Sequence, residues 1–244
     1  MKELTAKKFT EQLAALKSTA ELKNVQRFFR DESPGNKFLG VRMANIFALA
    51  KQFTEMPVAE IEKLLQSEYY EIRMGAVSIM DFKARQKTTT PGCKKQLFEL
   101  YIKRHDRINN WDLVDRSAPY VVGGYLFDKP RNILYKLAKS KNVWERRTAI
   151  VSTYFFIRQQ DVSDTFNIAA LLVNDQHDLI QKAVGSWIRE AGKKDKLPLI
   201  EFLDQFAGSM PRTMLRYAIE KLDKKEKDYY IAINTKTEDR KIKK

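Results

Sequence analysis

A chain of 244 residues can bury a sizeable core, and its 45 Lys plus Arg against 31 Asp plus Glu leave it at +14, with a pI near 9.7. That balance favours a polyanionic partner, nucleic acid first, with the solubility of charged helical faces as the simpler alternative. One cysteine (Cys93), two histidines (His105 and His177) and no apolar run near the roughly 20 residues of a bilayer span argue against a disulfide framework, a thiolate or histidine metal centre and membrane insertion.

The first residues, Met1-Lys-Glu-Leu-Thr-Ala-Lys-Lys, carry charge with no apolar run behind it, so the chain reads as cytoplasmic, in a bacterial-type cytosol or nucleoid. Apolar residues recur at helical spacing, as in Phe9, Leu13, Leu16 and again in Ile61, Leu64, Leu65, which predicts an all-α fold. Leu4 to Lys17 and Asn24 to Arg30 are predicted as two helices, with Phe28 a core or partly exposed aromatic, and Ser33-Pro34-Gly35-Asn36 as the turn that follows. Pro57, Pro91 and Pro211 mark helix starts, with Thr90 a cap before Pro91. Lys83 to Lys95 is predicted as the longest loop.

At Asn110 a polar side chain can accept from a free backbone N–H, which predicts a helix starting there with Trp111 and Asp112 in its first turn. Asp112 then favours the helix N-terminus through the macrodipole. Trp111 and Asp115 stand four apart, so an indole and a carboxylate share one helical face. Facing a nucleic acid, they would offer an aromatic platform and an anion for a developing sugar cation. The plainer alternative is a core tryptophan and a surface carboxylate paired with Arg116 or Arg147.

Ala44, Ala76, Ala118, Ala149, Ala183 and Ala218 recur every 31 to 42 residues, within the range of helical-pair repeats. Two positions earlier stand Arg42, Met74, Arg116, Arg147, Gln181 and Arg216, four of them arginines. Stacked units would bury the alanine face and align an arginine edge, or the arginine stems would simply cover apolar neighbours. Gly192 reads as a helix stop. The repeats predict a single domain over 1–234, and the charged segment 235–244, without an apolar period, a basic disordered tail.

No phosphate-binding loop, dinucleotide fingerprint or nucleophile elbow occurs, and no cofactor or metal is expected. Three segments carry a resemblance: Trp111-Asp112-Leu113-Val114-Asp115, Val143-Trp144-Glu145-Arg146-Arg147-Thr148-Ala149-Ile150 and Gln181-Lys182-Ala183-Val184-Gly185-Ser186-Trp187-Ile188-Arg189-Glu190. Together they resemble the AlkD-like DNA alkylation repair family over nearly the whole chain, the tail excepted.

The resemblance implies a right-handed-type solenoid of HEAT-like antiparallel helical repeats whose concave, basic face holds double-stranded DNA. It implies an alkylpurine DNA glycosylase that removes cationic N3- or N7-alkylated purines without needing to extrude them, in base excision repair. The family's catalytic carboxylate falls on Asp115, its sugar-contacting tryptophan on Trp111 and its site arginine on Arg147. Around these, Arg146, Lys182, Arg116, Phe28 and Trp187 are candidate DNA contacts. A second family tryptophan aligns with Ser186, and Trp187 comes one residue later, about 100° around a helix. Either the register adjusts locally or Trp187 belongs to the core.

A monofunctional, monomeric enzyme is expected, with no lyase step. The alternatives are a noncatalytic HEAT-repeat DNA-binding protein and a protein-interaction scaffold.

Overall fold

A computed structural model describes residues 4–28 and 36–242, with side chains described for 4–25 and 36–233. It is all-helical. Among the described residues there is no strand, only an isolated parallel bridge between Lys37 and Tyr69, and no helix is long and apolar enough to cross a membrane. The chain sorts into two compact units, Met1–Tyr125 and Leu126–Lys244, where the repeat reading predicts one domain.

The first unit contains α1 (Ala6–Ala14), α2 (Thr19–Phe28), α3 (Met43–Gln52), α4 (Val58–Leu65), α5 (Tyr70–Arg85), α6 (Pro91–Lys103) and α7 (Trp111–Ser117). A π-helical segment, Ala118–Gly123, follows α7 directly, and a short α8 (Gly124–Leu126) reaches the unit's end. The second unit contains α9 (Asn132–Ala138), α10 (Val143–Arg158), α11 (Ser163–Leu172), α12 (Asp178–Gly192), α13 (Lys196–Phe206), α14 (Arg212–Ala218) and α15 (Lys224–Ile242).

Helix α5 is the core of the first unit and packs against α3, α4 and α7. It is buried nearly all round, polar residues included. Burial of that kind removes the apolar stripe that marks a surface helix, and the polar groups must find internal partners. Glu71 accepts from the N–H groups of Leu39 (3.0 and 2.9 Å) and Gly40 (2.8 Å). Lys83 donates to the Thr54 carbonyl at 3.1 Å. Arg73, 1% exposed, donates to the Ser67 carbonyl at 2.8 Å, to Asn109 at 3.3 Å and to Asn36. These bonds tie α5 to the loops before α3, between α3 and α4, and before α7.

Because Lys83 and Arg85 belong to α5, the loop expected over Lys83 to Lys95 shortens to 86–90. Thr90 caps α6 as its sequence predicts, accepting from Cys93 N–H at 3.2 Å, with Pro91 in the first turn. Pro57 and Pro211 sit one position earlier than a first helical residue, as the N-caps of α4 and α14. The first two helices are shorter or shifted relative to expectation, and the turn from Ser33 to Gly35 lies outside the described residues.

Five of the six recurrent alanines are buried, Ala76, Ala118, Ala149, Ala183 and Ala218. Ala44 is exposed on α3 and does not share their role. In the second unit α12 packs on α10 and α14. The α12–α14 approach requires Gly185, where a Cβ would stand 2.5 Å from the Met214 carbonyl oxygen and 2.6 Å from Tyr217 Cβ. Gly192 closes α12 against Leu199, as its expected stop. α15 stays helical to Ile242, through the segment expected to be disordered. Lys, Glu and Arg are good helix formers, and they extend a helix already started at Lys224 without needing an apolar face.

Candidate active site on the first unit

Asn110 is fully buried and its side chain accepts from Trp111 N–H at 2.6 Å, so α7 starts where the sequence predicts. Its first turn is held from below by Arg73, through Asn109. Trp111 and Asp115 are both partly buried and line one cleft of about 640 Å³. Met43 and Phe47 of α3 and Tyr70 and Met74 of α5 supply the apolar wall. An apolar wall with a few carboxylates is the chemistry of a site that favours an organic cation over an anion.

Arg116 also lines the cleft, but its guanidinium is committed inward. It pairs with Asp81 at 3.2 Å, donates to Ser78 Oγ at 3.2 Å and lies 4.7 and 4.6 Å from the Phe47 and Phe82 ring centroids. Asp81, itself fully buried, also accepts from Arg85 at 2.8 Å, and Arg85 covers the Tyr120 ring at 3.8 Å. Burial pushes the Asp81 carboxyl up and the Arg116 guanidinium down, against the attraction between them. Arg116 therefore reads as a buttress of the cleft floor more than as a phosphate contact.

The other expected contacts lie on the second unit. Arg147 on α10 is 7% exposed and donates to the Leu179 carbonyl of α12. Arg146 grips Asp175 at 2.6 and 3.3 Å and the carbonyls of Ser140 and Lys141 at 3.0 Å each. Lys182 is the most accessible of the four and pairs with Asp178 at 2.5 Å. Trp187 stacks on Tyr154 with ring centroids 5.2 Å apart, and its indole N–H is buried with no hydrogen-bond partner among the described residues. That placement gives Trp187 a packing role between α10 and α12. The Phe28 side chain lies outside the described residues. Among the described residues no group of three or more His, Cys, Asp or Glu is arranged to hold a metal ion.

Asp112 does more than favour the helix N-terminus. Its Oδ2 takes the hydroxyl of Tyr70, and its Oδ1 is sealed from solvent with no hydrogen-bond partner among the described residues. Burial raises its carboxyl to about 6, the neighbouring Asp115 adding to the rise while the Tyr70 bond and the first-turn N–H groups oppose it. Tyr70 is driven upward by burial and by Asp112, so it stays a neutral donor. Sequence spacing offers no sign of this pair, because the partners are 42 residues apart.

A carboxyl raised from 3.8 to about 6 holds its proton in the folded chain where the unfolded chain has lost it. Its contribution is most favourable below pH 4 and is lost as pH rises through about 6, in all about 3 kcal/mol. Denaturant midpoints from pH 4 to 7 are expected to lack this component in Asp112→Asn, so that the variant gains on the wild type as pH rises. Parallel curves would contradict the assignment.

Residues 9–222 match the sequence profile of the DNA alkylation repair enzyme family. Among solved structures, the chain is similar to a predicted DNA alkylation repair enzyme from Enterococcus faecalis, with a TM-score of 0.70 and 17% identity over 85% of this chain and 97% of that one. It is also similar to AlkD2 from Streptococcus mutans, at TM-score 0.49 and 16% identity over 89% of this chain and 97% of that one. A comparison with curated protein sequences found no match.

Proposed function

The chain belongs to the DNA alkylation repair enzyme family, and from that premise we propose that it is a monofunctional DNA glycosylase acting on cationic N3- or N7-alkylpurines in duplex DNA. The observation that carries the reading is the shared placement of Trp111 and Asp115, one turn apart on α7 and on the same apolar cleft.

The chemistry needs few groups. An N3- or N7-alkylpurine is positively charged, so it leaves as a neutral base with little help from a proton donor. The C1′–N bond breaks with its electron pair going to the base, and the sugar acquires oxocarbenium character. Water then adds at C1′ and loses a proton, giving an abasic site in an otherwise intact strand.

Asp115 is the group proposed to face that cation and to accept the water proton. Trp111 packs against the deoxyribose and contributes a cation–π attraction of about 0.5 to 2 kcal/mol. The excess of Lys and Arg over the chain supports the polyanionic substrate and offsets the repulsion between phosphates and a carboxylate.

The test is a duplex carrying a single N7-methylguanine. Free N7-methylguanine should appear together with a site that breaks only on heating in alkali, the strand staying whole before that treatment. Duplex binding with no release of either N7-methylguanine or N3-methyladenine would leave a noncatalytic DNA-binding protein. Failure to bind duplex at low salt would leave a protein-interaction scaffold.

A further inference from the structure

Four carboxylates line the apolar cleft: Glu21 is paired with Arg42 and Glu71 with backbone N–H groups, Asp115 is the one the proposed reaction uses, and Asp112, in the first turn of the same helix, is left without a task. We infer that the buried Tyr70–Asp112 pair is a positioning device for α7, which fixes its first turn against α5 and sets a second negative charge behind Asp115. The inference rests on the reading of Asp115 as the group that faces the sugar cation.

Geometry carries it. Tyr70 is 1% exposed at the start of α5, and its hydroxyl reaches across to Asp112 in the first turn of α7. The same turn holds Trp111, and Asp115 follows one turn later. A rotation of α7 that moved Trp111 or Asp115 off the cleft would break the Tyr70–Asp112 bond and strain the Arg73 bond to Asn109 just before the helix.

A buried carboxyl with one oxygen unpartnered is a poor stabiliser when ionised, and a neutral amide of the same shape would serve packing as well. Its charge finds a use beside a site where positive charge develops. The charged and titratable groups around Asp112 are Tyr70, Glu71 and Arg73 on α5 and Asp115 on its own helix, with Glu21, Arg85 and Arg116 on the walls of the same cleft. Glu71 is tied to the N–H groups of Leu39 and Gly40, and Arg85 and Arg116 to Asp81. Glu21 is paired with Arg42, and Arg73, bound to the Ser67 carbonyl and Asn109, is the cation whose charge acts on Asp112, while Asp115 is the anion that does so.

The consequence is a rate that rises with pH as Asp112 ionises. Above about pH 7 the second charge is expected to raise base release about tenfold, the attraction of a carboxylate about 12 Å from the sugar cation at an effective dielectric near 20. Below about pH 5 the neutral Asp112 and an asparagine are electrostatically alike, so wild type and variant converge.

The experiment uses the full chain labelled with ¹³C at the aspartate carboxyls, and measures both the carboxyl resonances and single-turnover base release across pH 4.5 to 8 (a range of about three and a half units chosen to bracket the usual buried-carboxyl span). One resonance should inflect near pH 6, vanish in Asp112→Asn, move upward in Tyr70→Phe and move downward in Asp115→Asn. The release rate of wild type should follow the same inflexion, and Asp112→Asn should show none. An Asp112 resonance that ignores Asp115→Asn, or a loss of rate in Asp112→Asn by one factor at every pH, would overturn the inference and leave a purely structural contact. Expected resonances with no base release by wild type at any pH would instead sink the glycosylase reading while the coupling of Asp112 to Asp115 stood.

Discussion

Asp115→Asn is expected to slow base release about a thousandfold while duplex affinity stays the same or tightens. A carboxylate about 4 Å from a sugar cation, at an effective dielectric near 20, contributes on the order of 4 kcal/mol, which is about a factor of a thousand in rate if it acts only in the transition state. Asparagine keeps the size and a hydrogen-bonding oxygen, so α7 and the cleft keep their shape. Loss of an anion beside DNA removes repulsion, so occupancy is maintained and the effect belongs to the chemical step. Single-turnover release at saturating protein measures it. A rate within threefold of wild type would remove Asp115 from the reaction.

A large stability effect is expected at Gly185. An alanine there gains about 1 kcal/mol of helix propensity, but its Cβ meets the Met214 carbonyl at 2.5 Å and Tyr217 Cβ at 2.6 Å. Backbone and a Cβ cannot swing aside, so α12 and α14 must separate. Overpacking of that kind costs about 3 kcal/mol, for a net loss of about 2 kcal/mol and a melting temperature lower by about 4 to 8 °C. Gly92→Ala is the matching control, since nothing lies within 4 Å of a Cβ there, and it is expected to melt at or slightly above wild type. Equal melting for the two variants would contradict the close approach of α12 and α14.

What the sequence reveals here is what depends on near neighbours. The Asn110 cap, the Thr90 cap before Pro91 and the four-residue spacing of Trp111 and Asp115 are local, and each stands in the structure as read. What it conceals depends on partners far along the chain. The arginine pattern at Arg42, Arg116, Arg147 and Arg216 suggests an exposed edge, but Arg116 meets Asp81 and Arg147 meets the Leu179 carbonyl, neither of which spacing can announce.

The same cause hides α5. Its buried Glu71, Arg73, Asp81 and Lys83 interrupt the apolar rhythm, and only their distant partners explain why a helix there is stable. Asp112 is the sharpest case. Its sequence position predicts a helix-dipole contact, and the fold makes it a buried carboxyl against Tyr70.

The central claim is that a single carboxylate suffices because the departing base already carries positive charge. The most direct measurement compares single-turnover base release from two duplexes that differ at one position, N7-methylguanine in one and hypoxanthine in the other, at equal DNA occupancy. Release of N7-methylguanine with none of hypoxanthine is the expected result. Release of the neutral base at a comparable rate would require a proton donor that Trp111 and Asp115 do not supply, and would contradict the account.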